Sequence, residues 1–400
     1  MTTSASEFTE PPAFSPAESE SPSAIPERLQ GRVLVMVTIM STFLLSANAL
    51  VCATLSHFFG LPGWSFWQAV PGSLAVAFIA TTILGFRYSN PLLRTIYTVS
   101  ATWLAALNYA FFASIACWLV DGAARLAGLN LPRFDIAVVL FAIALLTTLY
   151  GLINAASLRV TRVVVPLPNL PEAWAGRTMA LLTDLHLGHL SGPGFLRRIL
   201  SRLRSLQPDA VLISGDLFDG TPIGLDRLVA PWHRFSPPRG IFYVTGNHDE
   251  FAERRIYLDA VKRTGIRVLN NEKVSLDGLQ IVGVHDSEAG DPDQLRDILR
   301  RAELDPQRPS ILLAHQPANL AVAEEEGISL QLSGHTHGGQ FWPWIFFVSR
   351  IYGPFAYGLS RLGKLLVFTS NGVGTWGPPV RVGTKSEIVL FRFVREMAAS

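Results

Sequence analysis

Hydrophobic and polar positions divide the chain into two regimes. Between residues 33 and 158 charge almost vanishes, with only Arg87, Arg94, Asp121, Arg125, Arg133 and Asp135 in that stretch. Uncharged, mostly apolar runs lie at 33–56, 64–86, 95–120 and 136–158. Each exceeds the ~20 residues that an α-helix needs to cross hydrocarbon. Core helices of soluble proteins seldom run this far without a charge. Four such runs in series predict four transmembrane helices. Trp64, Trp67, Tyr88 and Trp118 lie near the ends of these runs, where interfacial aromatics belong.

After Arg159 the pattern changes to short apolar runs alternating with amphipathic segments. The runs at 179–182, 210–214, 241–245, 280–284, 310–314 and 329–332 predict buried strands. The segments at 195–206, 253–264 and 293–302 have helical spacing with arginine-rich outer faces. Alternating strands and helices predict an α/β fold with helices covering the sheets. Late runs at 365–370 and 387–393 suggest further strands and a second, more antiparallel sheet.

Composition agrees with a split chain of 400 residues. Charged residues are 16% of the total, against about 25% in soluble domains. The net charge of +2 supplies no field for nucleic acid, so none is expected as a partner. The two cysteines, Cys52 and Cys117, lie in apolar runs and exclude a disulfide framework. The expected domains are a disordered tail at 1–31, a four-helix transmembrane region at 32–158 and a catalytic domain at 159–400. The tail is rich in Ser, Pro and Glu and lacks the basic start of a signal peptide. Arg28, Arg32, Arg87, Arg94, Arg159 and Arg162 flank one side of the helices, against Arg125 and Arg133 on the other. That asymmetry predicts cytoplasmic termini, and so a multi-pass inner-membrane protein with its catalytic domain in the cytoplasm.

Five short motifs follow predicted strands. They are Asp184-Leu185-His186, Gly215-Asp216-Leu217-Phe218-Asp219, Gly246-Asn247-His248-Asp249, a lone His315, and Gly334-His335-Thr336-His337-Gly338-Gly339. Ligand sites in α/β sheets form at the carboxyl ends of strands, so these side chains can converge. Glycines beside Asp216, Asn247 and His335 permit sharp turns there. Nitrogen and oxygen donors without sulfur suit Mn, Fe or Zn. Two such ions can activate water and stabilise a phosphoryl transition state.

The five motifs, in this order, resemble those of the calcineurin-like metallophosphoesterase superfamily, over roughly 178–393. The stretch 334–340, with Val380-Arg381 and Glu387-Ile388, is similar to its bacterial membrane-associated members. The resemblance implies a four-layer α/β/β/α sandwich and two divalent metal ions. It implies that Asp184, His186 and His337 hold one ion, that Asn247, His315 and His335 hold the other, and that Asp216 bridges them. It assigns His248 to protonation of the leaving oxygen and Asp249 to orienting His248. The implied activity is phosphoester or pyrophosphate hydrolysis, with a lipid or lipid-linked phosphate as candidate substrate. A phosphodiesterase on soluble nucleotides and a non-catalytic scaffold are the competing readings.

Other residues carry weaker expectations. Asp219 reads as a helix cap and His189 as an exposed loop residue. His285 and Asp286 stand equally as loop residues or as neighbours of the site. The arginines of 197–204 read as a solvated helix face. The run Phe341-Trp342-Pro343-Trp344-Ile345-Phe346-Phe347-Val348 is too short to span. It reads either as a core lid or, better, as an apolar lip beside the metals that dips into the bilayer or holds acyl chains.

Overall fold

The computed structural model describes residues 27–61 and 66–396. The expected tail therefore lies outside the described residues, apart from the few at its end that open the first helix, and so does Trp64. Four long helices come first: α1 (Glu27–Phe59), α2 (Phe66–Gly85), α3 (Pro91–Leu126) and α4 (Arg133–Ala156). All four are long and apolar enough to cross a membrane. Their caps follow local chemistry: Asn90 accepts from the amide of Leu93, and Pro91 opens α3. The described residues from Leu44 onward form one compact unit.

The second regime continues through β1 (Arg159–Leu167), β2 (Thr178–Leu182), α5 (Pro193–Leu206), β3 (Ala210–Ser214), α6 (Leu225–Val229), β4 (Ile241–Val244) and α7 (Arg254–Lys262). Next come β5 (Arg267–Val268), β6 (Glu272–Leu276), β7 (Leu279–Gly283), α8 (Asp286–Ala289), α9 (Pro292–Arg301), β8 (Ser310–Leu313) and α10 (Leu320–Glu325). The chain closes with β9 (Leu330–Ser333), α11 (Trp344–Tyr352), β10 (Gly358–Leu362), β11 (Leu365–Thr369) and β12 (Glu387–Arg395). Two six-stranded sheets result, in the orders β1-β12-β2-β3-β4-β5 and β10-β11-β9-β8-β7-β6.

Alternation along each strand sends side chains to two cores. Met179 and Leu181 of β2 and Leu212 of β3 meet Ile281, Ile311 and Leu332 between the sheets. Ala180, Leu182, Val211 and Ile213 face the other way, onto α5, α6 and α7. Leu312 and Val367 likewise face α9 and α10. The helix faces match: Leu196, Ile199, Leu200 and Leu203 of α5 are buried, and its arginines are exposed. This is the expected four-layer α/β/β/α sandwich.

The second sheet differs from expectation. Its centre, from β11 through β9 and β8 to β7, is parallel, and only the edge pairs β10–β11 and β6–β7 run antiparallel. The late strand β12 joins the first sheet, between β1 and β2. Strand β1 carries two arginines and a threonine and reads locally as a linker. Its pairing with β12, Arg159 opposite Glu387, is decided by partners more than two hundred residues away.

Candidate metal centre

Five strands of the two sheets end at one place. Asp184 and His186 follow β2, Asp216 follows β3, and Asn247 and His248 follow β4. From the second sheet, His315 follows β8, and His335 and His337 follow β9. Asp184, His186, Asp216, His335 and His337 all take left-handed backbone angles, with φ between 46° and 68°. That conformation costs a non-glycine residue about 1–2 kcal/mol and persists where the surroundings over-determine it, often at functional sites. Close approach explains one glycine: a Cβ on Gly215 would lie 2.6 Å from His315 Nδ1 and 2.7 Å from the amide of Gly246.

The donors form two adjoining groups. His186 Nε2 and His337 Nε2 face each other at 3.1 Å, and Asp184 Oδ1 lies 3.5 Å from His337 Nε2. His315 Nε2 lies 3.2 Å from Asp216 Oδ2, and His335 Nδ1 lies 3.0 Å from Asn247 Oδ1. Asp216 stands between the groups, since the same Oδ2 is 3.7 Å from His186 Nε2. Ligand atoms of Asp184, His186 and His337 lie within 4.8 Å of one another, and so do those of Asp184, Asp216 and His315. Asp184, His186, Asp216, His315 and His337 are thus brought together, with His248 close to His186 and Asp216, and the His335 ring of the His335–Asn247 pair lies 5.1 Å from that of His315.

The electrostatics suit divalent cations. Burial pushes His186 down to about 3, His335 to about 4 and His337 well below its usual value. Neutral imidazoles of this kind are ready to ligate. Burial also raises Asp184 to about 6, with Asp216 adding to the rise against the pull of His315. Burial alone would lower His315, yet Asp216 and Asp184 hold it well above its usual value. The carboxylates thus attract positive charge strongly enough to outweigh the burial of this imidazole. His315 Nδ1 is anchored by the Ser214 carbonyl at 2.8 Å. Its Nε2 points at Asp216 Oδ2, 3.2 Å away but outside hydrogen-bond geometry. The residues present fit a pair of metal ions.

Several expectations need correction. Asp249 does not orient His248. It is fully buried, and its carboxylate accepts from the amides of Leu217, Phe218 and Gly246 at 2.9–3.2 Å, tying two turns together. His248 Nδ1 instead faces the main-chain oxygen of Asp219 at 3.2 Å. Asp219 is not a helix cap: Oδ1 accepts from Thr221 N and Oγ1, and Oδ2 accepts from His189 N. His189 is buried, not exposed, with Nε2 3.3 Å from the carbonyl of Gly85 at the end of α2. His285 faces the Thr245 amide and Asn270, a structural anchor, while Asp286 lies beside the cleft and accepts from Gln316.

Sequence reasoning singled out Arg381 only as part of a motif. The structure buries it completely. Its Nη2 lies 3.3 Å from His337 Nδ1 and donates to the carbonyls of Asn371 and Gly374. Its own peptide is bound to α4 through the Gly151 carbonyl and the Asn154 side chain. The signal missed was an arginine in an apolar, glycine-rich stretch far from the other motifs.

A family model described as calcineurin-like phosphoesterase matches residues 178–339. The chain is similar to a metallophosphoesterase of Campylobacter jejuni, with 33% identity over 330 residues, 79% of this chain and 86% of that protein. A Danio rerio transmembrane protein with a metallophosphoesterase domain is 35% identical over 255 residues, 60% of this chain and 58% of its own length. A metallophosphoesterase of Aquifex aeolicus is 31% identical over 257 residues, 62% of this chain and 96% of that protein. Likeness along most of a relative's length joins a sandwich that gathers its donors at strand ends, and on both grounds the chain belongs to the calcineurin-like metallophosphoesterase superfamily as a metal-dependent phosphohydrolase carried by a membrane protein.

Proposed function

We propose that this protein hydrolyses a phosphoester or pyrophosphate of a lipid or lipid-linked molecule at the cytoplasmic face of the membrane. One observation carries the reading: α11 joins the membrane helices to the metal centre. At its start, Asn108 of α3 donates to the carbonyl of Trp342 and accepts from Trp344 Nε1, and Phe112 packs edge-on against Trp342. Asn108 lies inside the uncharged run of α3, so α11 meets α3 at a depth where hydrocarbon is expected. At its other end, the Tyr352 ring is 6.3 Å from that of His335. No residue of α11 is buried, and Phe346, Phe347 and Ile351 are 61%, 59% and 74% exposed. In water such a surface would be costly; against lipid it is stabilising. The asymmetry of arginines around the helices supports the cytoplasmic side.

In this reading Asp184, His186 and His337 hold one divalent ion, Asn247, His315 and His335 hold a second, and Asp216 serves both. Mn, Fe or Zn suit these donors. When bound, such ions lower the pKa of water and offset charge on the phosphoryl oxygens. The chain's own part in the reaction falls to His248. A carbonyl can only accept, so Nδ1 carries a proton toward Asp219 O; a second proton on Nε2 is the one given to the departing oxygen, which leaves the ring neutral with Nδ1–H intact. Phe251 and Trp376 flank the His248 ring, with centroids 4.3 Å and 5.7 Å away, and limit water there.

The test replaces Trp344 and Phe347 together by Ser. Turnover of a phospholipid in vesicles should fall severalfold, and turnover of a small soluble ester should hold. Equal losses on both, with a lower melting temperature, would remove the lipid reading and leave α11 as ordinary packing.

A further inference from the structure

The membrane helices do more than hold the sandwich near lipid. We propose that Arg94, near the start of α3, is a positioning residue for His248, acting through the Gly188–Gly192 loop. The proposal rests on His248 being the proton donor to the leaving oxygen. Arg94 Nε donates to the carbonyl of His189 at 3.1 Å. The amide of the same residue donates to Asp219 Oδ2 at 2.9 Å. The main-chain oxygen of Asp219 then faces His248 Nδ1 at 3.2 Å. A membrane helix is therefore three hydrogen bonds from the proposed proton donor.

Other contacts stiffen each step. The His189 ring is held by the α2–α3 corner, with Nε2 3.3 Å from the Gly85 carbonyl and its ring 5.8 Å from that of Tyr97. Both faces of the His189 peptide and its side chain are thus engaged. Asp219 closes its own turn through Oδ1, which accepts from the Thr221 amide at 3.0 Å and hydroxyl at 2.6 Å. Its amide donates to Leu187 O at 3.1 Å. A carboxylate so constrained fixes the plane of its own peptide, and with it the carbonyl that His248 sees.

Glycines at both edges of the loop permit this sandwiching. A Cβ at Gly192 would stand 2.7 Å from Arg94 Nη2, and one at Gly188 would collide with the Asp219 carboxylate. The loop is pressed between a membrane helix and the catalytic turn, with no room for a side chain at Gly188 and the Arg94 guanidinium close against Gly192. Small shifts of α3 against the sandwich are then felt at the carbonyl that sets the His248 ring. A contiguous chain of contacts is not itself proof of coupling, so the test must read the chemistry that His248 performs.

Full-length protein with its metals, in detergent, would be assayed on two soluble phosphodiesters. One releases a nitrated phenolate, which departs without a proton; the other releases an alkoxide, which needs one. His248→Ala should depress the alkoxide substrate far more than the phenolate. Arg94→Ala should show the same selectivity at smaller scale, with kcat for the alkoxide substrate down about tenfold, KM unchanged, and metal content and melting temperature preserved. Arg94→Lys, which can still donate to the His189 carbonyl, should recover part of the loss. If His248→Ala is selective and Arg94→Ala is not, the positioning role is overturned and the His248 reading stands. Equal losses on both substrates in Arg94→Ala, or loss of metal, would make Arg94 merely structural and also overturn it. If His248→Ala lacks selectivity, the reading beneath the proposal fails and takes the proposal with it.

Discussion

The membrane helices and the sandwich solve opposite solvent problems. In α1 to α4 large apolar side chains point outward, Leu119 and Ile153 each being 68% exposed. Several polar groups there are satisfied within the helices: Thr98, Thr102 and Ser114 donate to carbonyls one turn back, and Trp118 of α3 donates to Thr54 of α1. The sandwich reverses the arrangement, with apolar side chains facing inward and arginines of α5 facing water. The difference follows from the medium, since hydrocarbon offers no partner to a polar group and no penalty to an apolar one. The exceptions are more instructive than the rule. Asn108 and Asn154 break the apolar pattern of the helices, and both spend their amides on the sandwich. Asp184, Asp216 and His315 break the apolar interior of the sandwich, and all three meet at one centre. Polar residues that defy their surroundings mark where each region works.

The comparison is most easily broken at that centre. Asp216→Asn should abolish binding of both ions and reduce activity to background, because its carboxylate stands between the two groups. Metal analysis that finds two ions in the purified variant would overturn that assignment. A smaller but still large effect is expected of His248→Ala. Its rate should drop by ~10²–10⁴ with both ions kept, as metal analysis and steady-state kinetics would show. Loss of metal there would move His248 into the ligand set.

The seam between the regions should be weaker. Asn154 is buried, donates to the carbonyls of Arg381 and Thr384 at 2.8 and 2.9 Å, and accepts from Arg159. Asn154→Leu strands those groups, at about 1–3 kcal/mol, and thermal unfolding should register the loss. An unchanged melting temperature would mean that water replaces the amide. The least effect belongs to a partly exposed ion pair of the sandwich. Arg254 clasps Glu288 at 2.6 and 2.8 Å and holds its carboxyl down to about 2 from 4.5. The folded pKa is the lower one, so the pair stabilises above about pH 4.5. That contribution disappears as pH falls from 4.5 toward 2. Partial exposure keeps it below about 1 kcal/mol. Glu288→Gln should flatten the acid limb of a stability–pH curve slightly, and a curve unchanged in shape would show that the pair contributes nothing.

What could be read in advance tracked the range of the physics involved. Uncharged runs announced α1 to α4 because hydrocarbon imposes its demand on every residue of a span. Strands such as β3 and β8 were legible because both faces are buried. Edge strands β1, β6 and β10 were not, since half-exposed sequences resemble loops and their partners are distant. The candidate metal donors were legible because glycines and paired donors lie together in most of the motifs. The tasks of Asp249, Asp219 and His189 were not, because each is set by amides or carbonyls supplied from another loop, and the backbone leaves no trace in side-chain type.

The sequence by itself determined that the chain has a membrane region and an α/β phosphoesterase domain, and which donors could serve a metal. Those properties arise from composition and short spacing, which act over a few residues. Only the tertiary structure decided that α11 reaches α3, that Arg381 braces His337 from beside α4, and that Arg94 lies three hydrogen bonds from His248. These meetings join residues from 44 to more than 200 positions apart, and burial and closure of the whole fold select them.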